Sequence, residues 1–237
     1  MIRLAALILA LTTGFAAACQ QVDHRGRAFT VCTADLAIQT IEMRLLGDDG
    51  LPLGSFATLE QQTDAPIVFA MNGGMYHPDR RPVGLYIEDG VRSKNIVTRE
   101  GPGNFGLLPN GVFCVREGRA DVIESRAFAA DPPACTQATQ SGPMLVIDGE
   151  LHPRFLSNSA SRKLRNGVGA TPGGSTVHFV ISDEPVTFHE LATFYRDVLG
   201  LRDALFLDGS VSRLHDPSTG RSDGGRQMGP MIVVTER

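Results

Sequence analysis

The chain has 237 residues, 42% hydrophobic and 20% charged, a balance that argues against disorder or a fibrous repeat and suits one well-buried domain. Its formal net charge of -4 gives no overall basic footprint, so a nucleic acid is not expected as a partner.

The N-terminus reads Met1-Ile2-Arg3, an apolar stretch from Leu4 to Leu11, and Ala16-Ala17-Ala18 before Cys19. A charged segment, an apolar core and an Ala-x-Ala cleavage site make residues 1–18 a signal peptide, with the domain over 19–237 and an exported destination, periplasmic or secreted. No later stretch reaches the ~18 to 20 uninterrupted apolar residues of a transmembrane helix. Cys19 also allows a lipidated first residue of a bacterial lipoprotein. Parity disfavours this, because the four cysteines at 19, 32, 114 and 135 would then leave an odd thiol in an oxidising compartment. Two local disulfides, Cys19 with Cys32 and Cys114 with Cys135, are preferred among the three connectivities, each contributing ~2 to 3 kcal/mol.

Along the mature chain a short helix is expected over Ser55 to Gln62. The run Ile67 to Met71 is a strand that ends in Asn72-Gly73-Gly74. An ordinary hairpin would continue into a pairing strand, yet Tyr76-His77-Pro78-Asp79-Arg80-Arg81-Pro82 follows, which proline and charge keep from being one. Asp89-Gly90, Pro109-Asn110-Gly111 and Asp148-Gly149 read as hairpin turns, the second between Phe105–Leu108 and Val112–Val115. Arg162-Lys163-Leu164-Arg165 is the one basic cluster, followed by Asn166-Gly167-Val168-Gly169. Val177 to Ile181 is a strand. A helix from Phe188 to Leu199 has its apolar residues on one face, a Thr187/Glu190 capping box and a stop at Gly200. The strand Ala204 to Leu207 completes a strand, helix, strand order that predicts a crossover between parallel neighbours. The expected fold is α+β, a single domain with a large mixed β-sheet core and a few packed helices.

Leu205-Phe206-Leu207 ends in Asp208-Gly209-Ser210-Val211-Ser212. A rigid strand presents the residue past its end at a fixed position, and glycine there lets a ligand approach the main chain. Asp208 offers a carboxylate, Asn72 an amide that donates and accepts, and Arg165 a guanidinium suited to phosphate. Together they suggest an anionic, oxygen-rich ligand. His77, His178, His189 and His215 form no metal spacing, so no cofactor is called for, with a divalent cation left open. Ser141 in Gln140-Ser141-Gly142-Pro143 lacks the second glycine of a nucleophile elbow.

At these residues the chain resembles the phosphodiester glycosidase family, from about Pro66 to Val234. Asn72-Gly73-Gly74-Met75-Tyr76 is similar to the family's Asn-Gly-Gly-aromatic segment and Ser141-Gly142-Pro143 to its Ser-Gly-Pro strand entry. Arg165 to Gly169 is similar to its Arg-x-x-x-Gly stretch and Leu207-Asp208-Gly209-Ser210-Val211-Ser212 to its Leu-Asp-Gly-Gly-Gly-Ser. Two of that motif's glycines are replaced by Ser210 and Val211, and Met75 stands where an aromatic is common.

The resemblance implies hydrolysis of the bond between a sugar's anomeric carbon and a phosphodiester oxygen. Arg165 would hold the phosphate, and Asp208 would face the developing positive charge or the attacking water. Asn72 and Ser212 would orient oxygens, with Gly73, Gly74, Asn166, Gly209 and Ser141 also contacting substrate. The implied partner is a glycosyl-phosphodiester small molecule or a cell-envelope glycan. A non-catalytic glycan-binding protein and a metal-assisted phosphodiesterase are the competing readings. The mechanism with these role assignments requires Asn72, Arg165 and Asp208 to converge on one cleft.

Overall fold

The computed structural model describes residues 18–209 and 211–237. The expected signal peptide, except Ala18, lies outside the described residues, as does Ser210. In chain order the strands are β1 (Cys19–His24), β2 (Arg27–Asp35), β3 (Gln39–Arg44), β4 (Ile67–Asn72), β5 (Tyr86–Glu88), β6 (Val91–Lys94), β7 (Gly111–Arg116), β8 (Arg119–Glu124) and β9 (Gln137–Ser141). They continue with β10 (Met144–Ile147), β11 (Glu150–Leu151), β12 (Asn166–Ala170), β13 (Thr176–Ser182), β14 (Ala204–Phe206), β15 (Leu214–Asp216), β16 (Arg221–Ser222) and β17 (Met231–Glu236). Among the described residues three short α-helices, α1 (Phe56–Gln61), α2 (Ser125–Ala130) and α3 (Phe188–Thr193), accompany them.

The strands form three antiparallel sheets, in the orders β1-β2-β13-β12-β14-β10-β11, β16-β15-β4-β17-β3 and β6-β5-β9-β7-β8. Each sheet turns one face to a shared core. At its centre Phe179 of the first sheet meets Phe69 of the second and Phe113 of the third edge to face, at ring centroid distances of 5.4 and 5.8 Å. The other face of each sheet lies under a helix. Phe56 and Leu59 of α1 cover Ala70, Met231 and Val233; Phe128 of α2 covers Val112 and Cys114; Leu191 and Ala192 of α3 cover Val146 and Val180. Strand alternation produces this, since Ile232 and Val234 of β17 point to the shared core while Met231 and Val233 point to α1. Strands apolar on both faces are therefore explained by burial between the shared core and a covering helix.

Among the described residues the protein is thus largely β, 41% strand and 11% helix, and the expected single mixed sheet is replaced by three antiparallel ones. The crossover expectation is also corrected. β13 and β14 do run parallel, but β12 lies between them and pairs antiparallel with both, in registers such as Val168↔Phe179 and Val168↔Leu205. Glycine permits this insertion, since a Cβ on Gly167 would lie 2.7 Å from the Leu205 carbonyl oxygen and one on Gly169 2.7 Å from Leu201 Cδ1.

The hairpin expected around Asn110-Gly111 does not form. Asn110 is buried, its amide donates to the Phe105 carbonyl at 2.9 Å, and β7 pairs instead with β8 across Glu117-Gly118. Asp89-Gly90 and Asp148-Gly149 do turn hairpins, with φ of 50° and 75° and of 51° and 87°. Ser55 caps α1, and the Thr187/Glu190 capping box opens α3, which continues as a π-helical turn over Phe194–Val198 before Gly200 at φ 64°. Disulfides join Cys19 to Cys32 across β1 and β2, and Cys114 to Cys135, as expected. No helix among the described residues is long and apolar enough to cross a membrane.

Candidate functional site

Asn72 ends β4 in the second sheet, Asn166 begins β12 in the first, and Asp208 lies two residues past β14. The Asn72 amide ties them together. Its Nδ2 donates to the Asp208 carbonyl at 3.0 Å and to the Gly73 carbonyl at 3.4 Å, while its Oδ1 accepts from Asn166 Nδ2 and from the Arg213 backbone N–H, both at 2.9 Å. An asparagine amide has two donor hydrogens and two acceptor lone pairs, and all four are used. The Ser212 hydroxyl lies within donating reach of Asn166 Oδ1 at 3.1 Å and the Leu164 carbonyl at 3.2 Å. Asn72 and Asn166 are buried. This network holds the Asp208 backbone, and its groups are spent on the protein itself. Direct contact of Asn72 with substrate, expected from sequence, is therefore not what the geometry favours.

The motif glycines serve packing in the same way. A Cβ on Gly74 would lie 2.4 Å from both the Gln140 carbonyl and Thr139 Oγ1, and the Gly74 N–H donates to Thr139 Oγ1 at 3.2 Å. The Gly73 N–H donates to the Pro230 carbonyl at 2.8 Å. On Gly209 a Cβ would lie 2.4 Å from Phe206 Cζ. These positions admit neighbouring protein where the sequence suggested approach of a ligand.

Asp208, 9% exposed, lines a cleft of about 740 Å³. The cleft's other walls include Met75, Tyr76, His77, Lys94, Arg99 and the loop from Glu100 to Gly106. Tyr76 is fixed by a hydrogen bond from its hydroxyl to the Gln227 carbonyl at 3.1 Å and by its ring lying against Gly229. Burial first, and then the charge of Asp208, push its phenol above the ordinary value, against the opposing pull of Arg80 and Arg213. Lys94 and Arg99 are exposed cations in the cleft, and neither forms a salt bridge among the described residues.

A second saturated amide anchors the loop that carries Arg99. Gln140 Oε1 accepts from the Leu85 and Val97 N–H groups, both at 3.0 Å, and its Nε2 donates to the Val97 carbonyl at 2.6 Å and to Asn110 Oδ1 at 3.4 Å. The loop closes at its neck through Gly101 and Gly106, where a side chain on Gly106 would overlap the Gly101 backbone. Sequence reasoning missed Lys94, Arg99 and Gln140. Exposed charges in a hairpin and a loop have no distinguishing pattern, and the clamp on Val97 spans 43 positions.

Arg165 does not join Asp208 in the cleft. It is 2% exposed, with Nε donating to the Val186 carbonyl at 2.9 Å and Nη2 to the Ser161 carbonyl at 3.2 Å, and its guanidinium carbon lies 3.7 Å from the centroid of the Phe188 ring. Neighbouring residues of an extended segment point oppositely, so Asn166 turning to Asn72 sends Arg165 to the α3 side. Burial lowers its pKa to about 10. Phe188 stacks in turn on Phe155 at 5.0 Å and Phe155 on His152 at 4.7 Å. Ser141 is fully buried at the end of β9 and does not line the cleft. Gly209 and Ser212 line a different cavity, of about 380 Å³, where Arg221 is paired with Asp183 and Asp223.

Among the described residues no group of three or more His, Cys, Asp or Glu side chains is placed to hold a metal ion. The profile of a family described as phosphodiester glycosidase matches residues 65–235. An Escherichia coli (strain K12) protein, "Uncharacterized protein YigE", is 37% identical over 149 residues, which cover 63% of this chain and 58% of that one. The alignment thus leaves about two fifths of that relative unmatched. Among solved structures, the zebrafish N-acetylglucosamine-1-phosphodiester alpha-N-acetylglucosaminidase catalytic domain, auto-inhibited by its pro-peptide, superposes with a TM-score of 0.61 at 14% identity, over 92% of this chain and 82% of that chain. That likeness is one of fold.

Proposed function

We propose that this chain, which belongs to the phosphodiester glycosidase family, is an exported hydrolase that cleaves the bond between a sugar and a phosphodiester. The observation that carries the proposal is a carboxylate, Asp208, lining the same cleft as two cations without salt-bridge partners among the described residues, Lys94 and Arg99. Phosphate is a good leaving group, so the reaction needs charge stabilisation more than strong acid catalysis. As the anomeric carbon–oxygen bond breaks, its electron pair stays on the phosphate oxygen and positive charge develops on the sugar. Asp208 faces that charge and accepts a proton from the water whose oxygen bonds to the anomeric carbon. Lys94 and Arg99 take the phosphate role that the sequence suggested for Arg165. Asn72, Asn166 and Ser212 are positioning residues that hold the Asp208 backbone between two sheets.

The test is a panel of α- and β-glycosyl phosphodiesters assayed for free sugar and phosphomonoester. The wild type releases both products from at least one member. Asp208→Asn keeps the shape of the side chain and loses roughly 100-fold or more of the turnover, the scale of removing a principal electrostatic group. Unchanged turnover in a folded Asp208→Asn protein contradicts the assignment, and release of nothing from the whole panel contradicts the activity.

A further inference from the structure

Next to the cleft lies a second cavity of about 640 Å³, and the two share His77 and Lys94. Asp208 lines only the first. The second is walled largely by apolar groups: Leu45, Leu46, Pro82, Tyr86 and Val91. Leu46 and Val91 are 46% and 69% exposed, so two aliphatic side chains of this cavity present apolar surface to solvent. Three of its polar side chains, Tyr86, Glu88 and Arg81, are engaged within the protein. Tyr86 donates its hydroxyl hydrogen to Glu88 Oε2 at 2.8 Å, and Arg81 is paired with Asp79 at 2.6 Å. Burial is the first cause that raises the Glu88 carboxyl above its ordinary value, with the Tyr86 hydrogen bond and Arg44 pulling the other way. Lys94, at the junction, has no salt bridge among the described residues.

A phosphodiester has the same layout: one anionic group with an alcohol residue on each side. We propose that the second cavity receives the aglycone and selects an apolar one, with the phosphate held at the junction by Lys94, flanked by His77 there and by Arg99 on the cleft side, and the sugar in the cleft with Asp208. The assignment of sugar to one side and aglycone to the other rests on the glycosidase reading. The apolar character of the second cavity and the cation at the junction do not.

Binding of dialkyl phosphates, which contain no glycosidic bond, tests the inference by calorimetry on the intact protein. Methyl octyl phosphate is expected to bind at least about tenfold tighter than dimethyl phosphate, the effect of burying roughly two methylene groups. The double variant Leu46→Asn/Val91→Asn, at exposed positions, is expected to erase that difference. Lys94→Met is expected to weaken both phosphates by the same factor, and 1-octanol is expected to bind more weakly than methyl octyl phosphate. Equal binding of the two phosphates, no binding of either, or a preference that survives the double variant overturns the proposal. So does 1-octanol binding as tightly as the octyl phosphate. A protein that prefers the octyl phosphate but releases sugar from no glycosyl phosphodiester supports the apolar subsite and contradicts the catalytic reading, so the two failures are distinguishable.

Discussion

Replacing Asn72 by alanine separates a residue that positions the site from one that touches the substrate. The change deletes three bonds of 2.9 to 3.0 Å, to the Asp208 carbonyl, Asn166 Nδ2 and the Arg213 N–H, at a side chain only 1% exposed. At about 1 kcal/mol net for each bond the loss is ~3 kcal/mol, because the partners left behind are screened from water. In a chain of this size each kcal/mol lowers Tm by roughly 2–4 °C, so a fall of ~6–12 °C is expected in calorimetry or thermal circular dichroism. Steady-state kinetics on an active glycosyl phosphodiester should show kcat reduced roughly 10- to 100-fold, the scale of a carboxylate displaced by about 1 Å. KM should stay near the wild-type value, because every hydrogen-bonding function of Asn72 is already occupied within the protein. A Tm within ~2 °C of wild type would show that these bonds do not carry the assigned weight. A raised KM with unchanged kcat would place Asn72 on the substrate and refute the reasoning.

Gly209→Ala places a methyl against the buried Phe206 ring and should cost ~1–3 kcal/mol with a loss of turnover; adding Phe206→Leu should recover part of that stability, measured as a coupling in a double-mutant cycle. Arg165→Met should keep kcat/KM within a few-fold of wild type, whereas Lys94→Met should lower kcat/KM for the phosphodiester with Tm unchanged; the reverse pattern in paired kinetic and melting assays would return the phosphate to Arg165. Tyr86 and Tyr195 are held well above the ordinary phenol pKa, first by burial. A group whose pKa is raised on folding gives stability that is complete below its unfolded value and is lost as pH climbs toward its folded value. Stability should therefore decline above about pH 10, by about 1.4 kcal/mol per pH unit for each tyrosine. Urea titrations at stepped pH should show a shallower decline in Tyr195→Phe, and an unaltered slope would contradict the linkage.

Much of the local structure was legible because it is written in short-range chemistry. The Thr187/Glu190 capping box, the Ser55 cap and the Asp-Gly turns at 89 and 148 act within three residues and form as expected. The position of Asp208 past a buried strand was legible for the same reason. What failed depended on distant partners. Asn110-Gly111 has the sequence of a tight turn, but Phe105 and Gln140 claim the asparagine and bury it. The strands around α3 predicted neighbouring positions in one sheet, yet glycines at 167 and 169 admit β12 between them. Arg165 and Asn166 are adjacent in sequence and serve opposite sides of a strand, so a motif read as one ligand-binding unit divides into a guanidinium stacked on Phe188 and an amide bonded to Asn72. The cations of the cleft, Lys94 and Arg99, stand far from Asp208 in sequence, and only the fold places the three along one cleft.

Hydrolysis of an active glycosyl phosphodiester in water enriched in heavy oxygen, followed by mass spectrometry of both products, tests the central claim most directly. If Asp208 directs water to the anomeric carbon, the label enters the sugar and the phosphomonoester carries none. Label in the phosphomonoester would mean that the phosphorus–oxygen bond is the one broken, and the role given to Asp208 would be wrong.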